Sequence, residues 1–112
     1  LGLTMSWEWI VFIAAAAAVI IGCLLPAGWL PPLPNDKLLH FGAFLVLTSL
    51  ALRIAPDWPQ RGLWIGGLLA GGLAIELLQR QVPGRSFCWR DMAANAAGIA
   101  AATLVFGLLQ VI

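Results

Sequence analysis

The stretch that decides how this chain folds is Glu76 to Gly98, ELLQRQVPGRSFCWRDMAANAAG. It closes one long apolar run, crosses a short basic loop and opens another apolar run. Glu76, Gln79, Arg80, Arg85, Arg90, Asp91 and Asn95 all fall inside it. Most of the remaining chain is built to stay in lipid, where polar and ionisable groups are expensive and tend to be functional.

Composition supports that reading. Of 112 residues, 62% are hydrophobic and only 10% are charged, against about 25% charged in an ordinary soluble domain. Mean hydropathy is +0.95. The length accommodates four crossings of about 20 residues with short connections and leaves no room for a soluble domain. The expected fold is therefore an all-α membrane protein, a bundle of four transmembrane helices forming one domain over residues 1–112. A net charge of +1, with no basic stripe to track phosphates, excludes a nucleic-acid partner. Two cysteines, Cys23 and Cys88, are too few for a disulfide framework. They fall towards the same face, so pairing is open if that face is periplasmic.

The first span is expected over about 9–25. It contains five consecutive alanines (Ala14 to Ala18) and lacks the basic leader of a cleaved signal peptide. Prolines 31, 32 and 34 hold the next connector extended, because their fixed φ and missing amide protons exclude a regular helix. Asn35 or Asp36 then sits where an N-cap belongs, and a second span follows over about 37–54. Arg53, Pro56, Asp57, Pro59 and Arg61 read as a tight connector on the opposite membrane face. The third span covers about 62–79, where Gly62 with Gly66 and Gly67 with Gly71 give small residues at i, i+4 for close helix approach. The fourth covers about 91–112, with Ala94, Ala97, Gly98, Ala101 and Ala102 suited to tight packing.

All six tryptophans lie near predicted span ends, as in an aromatic belt. The face carrying Lys37, Arg80, Arg85 and Arg90 is more basic than the face carrying Arg53 and Arg61. The positive-inside rule therefore nominates the first as cytoplasmic.

Four antiparallel spans place the start of span two, the end of span three and the start of span four at one face. His40, Glu76 and Asn95 then arrive at similar depth, each about one turn inside its helix. Asp36, Lys37, Gln79, Arg85 and Asp91 are expected nearer the water. Glu76 and Gln79 share a helix face at i, i+3, and Asp91, Asn95 and Gly98 form a stripe at i, i+4, i+7. The bland alternatives are that Asp36 and Asp91 are helix caps, that His40 and Asn95 are interhelical glue, and that Arg80 and Arg90 anchor to headgroups. Glu76 is hardest to dismiss, because a carboxylate in a glycine-rich membrane helix needs a partner or a wet cavity. No metal or cofactor is expected: one histidine, scattered carboxylates and one nearby cysteine lack recognised ligand spacing.

The pattern Asp36-Lys37-x-x-His40-Phe41-x-x-Phe44, then Glu76-x-x-Gln79, Pro83-Gly84-Arg85 and Asp91-x-x-x-Asn95-x-x-Gly98 resembles the VanZ-like membrane proteins. The resemblance covers about residues 36–107, with departures at Ile75, Cys88 and Arg90. It implies a small multi-pass protein of the bacterial inner membrane, and the founding type is associated with resistance to the glycopeptide teicoplanin. A cell-envelope lipid or precursor headgroup is then the natural ligand. Arg85 would supply a two-donor fork for phosphate or carboxylate, and Glu76, Gln79 and Asn95 would read hydroxyls and amides. An intramembrane enzyme using His40 with Glu76 or Asp91 as acid and base is the second reading. A lipid transporter with a His40–Glu76 proton relay is the third, and would need a homo-oligomer through the glycine-rich third helix.

Overall fold

The computed structural model describes residues 6–29, 36–84 and 88–111, with the side chains of Ala27 and Asp36 outside the description. Asn35 and Arg85 lie outside the described residues. Four helices follow in order: α1 (Trp7–Leu24), α2 (Asp36–Ile54), α3 (Trp58–Gln79) and α4 (Trp89–Val111), with a short 3-10 turn at Ala27–Trp29. Their 18 to 23 residues correspond to about 27 to 35 Å at 1.5 Å per residue, enough to cross a hydrocarbon layer of about 30 Å. All four are apolar enough to do so. The chain runs up and down, so α2 and α4 run parallel.

The third helix begins earlier than expected. Pro56 to Arg61 does not form a loop; α3 starts at Trp58, directly after Asp57. The Asp57 carboxylate accepts from the Gln60 amide at 2.9 Å, and Pro59 falls in the first turn, where a missing N–H leaves no bond unmade. Arg61 donates from Nε to the Leu52 carbonyl at 3.1 Å, satisfying one of the orphan acceptors at the end of α2.

At this end of the bundle both arginines are committed. Arg53 pairs with Glu8 at 3.0 Å and lies over the Trp7 ring. Arg61 is placed between Trp58 and Phe106. Trp64 packs edge-on against Trp9 and Phe12, joining α1 to α3. These amphipathic groups suit the membrane–water boundary.

The core is built on α2, which buries Phe44, Leu47, Leu50, Ala51 and Leu52 against Ile99 and Ala102 of α4. α1 buries no residue. The buried residues of α3 are Gly72, Glu76 and Gln79, while its leucines at 63, 69, 73, 77 and 78 face outwards. An interior more polar than the exterior is a membrane protein's arrangement, since lipid solvates leucine without cost.

The glycine pairs in α3 do not mediate the closest approach within the chain. A Cβ at Gly62, Gly66, Gly67 or Gly71 would meet nothing within 4 Å. The tight positions are Gly72, against Phe44 and Asn95, and above all Gly98, where a Cβ would lie 2.4 Å from the Phe41 carbonyl oxygen. Small residues at i, i+4 permit close packing but do not say which helix face receives a neighbour.

Gly98→Ala is expected to lower stability by about 1–3 kcal/mol, because backbone atoms of α2 cannot yield. Gly66→Ala should be neutral or stabilising by up to about 1 kcal/mol through helix propensity. Thermal unfolding of the two variants in detergent, followed by circular dichroism, checks the contrast.

Candidate functional site

The end of the bundle opposite the arginine–aromatic layer collects the polar residues. His40 is the fifth residue of α2, Asn95 the seventh of α4, and Glu76 lies three before the end of α3. Each therefore sits about 5 to 9 Å along its helix from that end. Glu76, Gln79, Asp91 and Asn95 are all buried, and His40 is nearly so.

The parallel pair α2 and α4 sets most of the contacts. Lys37 Nζ lies 2.7 Å from Asp91 Oδ1, with the lysine side chain 39% exposed and the aspartate only 9%. His40 Nδ1 lies 2.9 Å from Asn95 Oδ1, while Asn95 Nδ2 donates to Met92 Sδ at 3.9 Å. An amide oxygen only accepts, so the proton sits on Nδ1 of His40. The other ring nitrogen, Nε2, faces Asp91 Oδ2 at 3.6 Å, beyond hydrogen-bond reach.

Glu76 enters this group from α3. It is 0% exposed, and neither carboxylate oxygen has a hydrogen-bond partner among the described residues. One donor atom each of His40, Glu76 and Asp91 lie within 4.8 Å of one another. Val19 and Cys23 of α1 and Phe44 of α2 line a narrow recess beside Glu76, His40 and Asn95. A buried carboxylate without a counter-charge costs several kcal/mol, so this geometry calls for a proton or a cation.

Gln79 has a different task from the one its sequence position implies. It is enclosed rather than near water, and its Nε2 donates to the Cys23 carbonyl at 2.8 Å. That carbonyl belongs to the last turn of α1, where the regular helix supplies no i+4 donor. Gln79 thus ties α1 to α3 at the site. Asp91 is likewise not the cap of α4; it is the third residue of the helix, still favoured by the positive end of the dipole. Cys23 and Cys88 are not joined in a disulfide. Arg80 and Arg90 are exposed.

Of the expected site residues, Lys37, His40, Glu76, Asp91 and Asn95 converge, and Gln79 sits beside them as a brace. Arg85 and the Asp36 side chain fall outside the description. The pairings of Lys37 with Asp91 and His40 with Asn95 went unread. Both span 54 to 55 positions, the offset of two parallel helices separated by one crossing, and that register was the available signal. Ligand spacing along a single element carries no sign of this group, because His40, Glu76 and Asp91 come from three helices.

A family model described as VanZ/LLP1 matches residues 3–110. No solved structure matches the chain.

Gln79→Leu is expected to cost about 1–3 kcal/mol by leaving the Cys23 carbonyl unpaired. Gln81→Leu, at an exposed position, should stay within about 0.5 kcal/mol of the parent. Thermal unfolding in detergent distinguishes them.

Proposed function

Since the chain belongs to the VanZ/LLP1 family over residues 3–110, we propose that it is a multi-pass membrane protein of the bacterial envelope that binds the polar head of an envelope lipid or precursor. The observation that carries the reading is the buried, unpartnered Glu76 carboxylate within reach of His40 and Asp91. Natural selection of a structural core alone gives no reason for a charge there, because an amide or an apolar residue fits a membrane helix at lower cost.

Several features support a headgroup as ligand. The N-terminal ends of α2 and α4 lie at this face, and the positive ends of their dipoles favour an anion. Lys37 reaches from the buried Asp91 to the exposed rim. Arg85, which lies outside the described residues, would bring a planar guanidinium suited to phosphate or carboxylate. Altered sensitivity to glycopeptides such as teicoplanin is then the expected cellular consequence, through a changed supply or presentation of envelope precursor.

A second reading is an intramembrane acid–base enzyme. It is favoured by Nε2 of His40 facing Asp91 at 3.6 Å, an imidazole beside a carboxylate being a common acid–base pair. Watching a labelled envelope lipid for chemical change separates it from simple binding.

The test pairs Glu76→Gln with Arg85→Lys. Both variants should keep the parent's thermal stability in detergent, lose the co-purified lipid seen by mass spectrometry of the intact protein, and return expressing cells to parental teicoplanin sensitivity. Variants that retain lipid and phenotype would show the polar end to be scaffolding.

A further inference from the structure

We propose that His40, Glu76 and Asp91 form a binding site for one first-row divalent cation of the zinc or manganese type. Their donor atoms lie within 4.8 Å of one another. Two donors about 2.1 Å from a common ion are about 3.0–3.5 Å apart in tetrahedral or octahedral geometry. His40 Nε2 and Asp91 Oδ2 already stand 3.6 Å apart, so only Glu76 must close in, by about an ångström of side-chain rotation.

Two independent observations point to a ligand. The first is Glu76 itself, fully enclosed and with both oxygens unpartnered among the described residues. The second is the histidine. Its Nδ1–H donates to Asn95, and this outer bond is the usual device that fixes the tautomer and aims the other ring nitrogen at a metal. His40 Nε2 and the carboxylates of Glu76 and Asp91 thus face one point, while Lys37 meets Asp91 through its other oxygen, an arrangement that a cation would draw together.

Charge and donor type narrow the ion. With both carboxylates ionised around a cation, Glu76 and Asp91 would bring two negative charges and Lys37 would return one, through Asp91 Oδ1. A divalent cation converts that net charge of about −1 to about +1. An imidazole among the donors disfavours magnesium and calcium, which take oxygen, and suits zinc or manganese. Three protein ligands leave a coordination position open. On the headgroup reading above, on which this step alone rests, that position takes a phosphate or carboxylate oxygen.

The experiment uses the full chain, tag-free, in detergent. Metal content is measured by mass spectrometry after purification without chelator, and the EDTA-stripped protein is titrated calorimetrically with ZnCl2 and MnCl2. One equivalent of one of these ions per chain is expected, with Kd raised at least about 10-fold by Glu76→Gln or His40→Gln and about 10- to 100-fold by Asn95→Ala. Glu8→Gln, at the opposite end, should bind as the parent does. X-ray absorption of the zinc-loaded parent should report nitrogen and oxygen donors, one of them imidazole, and no sulfur; this readout decides the matter even if a variant fails to fold. Substoichiometric binding, affinity unchanged by Glu76→Gln and His40→Gln, or a sulfur ligand would overturn the site. Co-purified lipid retained in excess EDTA by a protein that binds neither ion removes the cation and leaves headgroup binding standing. One bound ion without lipid supports the cation and removes the headgroup.

Discussion

The rest of this structure depends on the contact between Gly98 and the backbone of α2 at Phe41 and Leu45. A Cβ at position 98 would lie 2.4 Å from the Phe41 carbonyl oxygen and 3.0 Å from the Leu45 amide, so α2 and α4 touch main chain to main chain. Such contact fixes register as well as distance, because sliding one helix drives side chains into the space glycine leaves. With Gly98 seated there, Asn95 lies one turn nearer the membrane face, opposite His40, and Asp91 lies another turn on, opposite Lys37. The polar pairs are consequences of a packing contact, and they in turn resist slippage of the two helices.

α1 and α3 are attached to this pair by different means at the two ends. Near the site, Gln79 bonds the Cys23 carbonyl. At the other end, Glu8 pairs with Arg53 and Trp64 sits between Trp9 and Phe12. Between the ends α1 fully buries no residue, and Phe12, Ala15, Ala16 and Val19 are half-buried along its inner side. Since lipid gives apolar helices little reason to associate, polar and aromatic contacts decide where α1 docks. The recess beside Glu76 is closed on one side by Val19 and Cys23 of this helix, so its docking also sets how enclosed the carboxylate is.

Enclosure gives the polar end its chemical potential. In a low dielectric, the imidazole of His40 and the carboxylates of Glu76 and Asp91 interact strongly with any cation or proton that reaches them. Lys37, with one end on Asp91 and a large part of its side chain exposed, offers a polar path from that interior to the surface. The arginines of the opposite end, each bound to aromatic rings and to Glu8 or a carbonyl, present no comparable free chemistry. The two ends of the bundle thus differ, one an arginine–aromatic layer and the other a cluster of buried carboxylates and amides.

Much of this was legible in the chain. The number, order and direction of the helices follow from apolar runs long enough to cross a bilayer, and the common depth of His40, Glu76 and Asn95 follows from counting turns. Asp57 and Pro59 also carried a helix-start signal, but their turn-like composition concealed that α3 begins at Trp58. What the sequence could not supply was rotation about each helix axis. Whether Gly66 or Gly98 receives a neighbour, whether Gln79 faces water or the Cys23 carbonyl, and whether three scattered ligand-type residues meet are all questions of which face turns inwards. Nearly every face of these helices is apolar, so hydrophobic periodicity assigns none of them. Only the fit of backbone against backbone at Gly98, and of the Phe44 and Asn95 side chains over Gly72, does so, and that fit exists once the helices are packed.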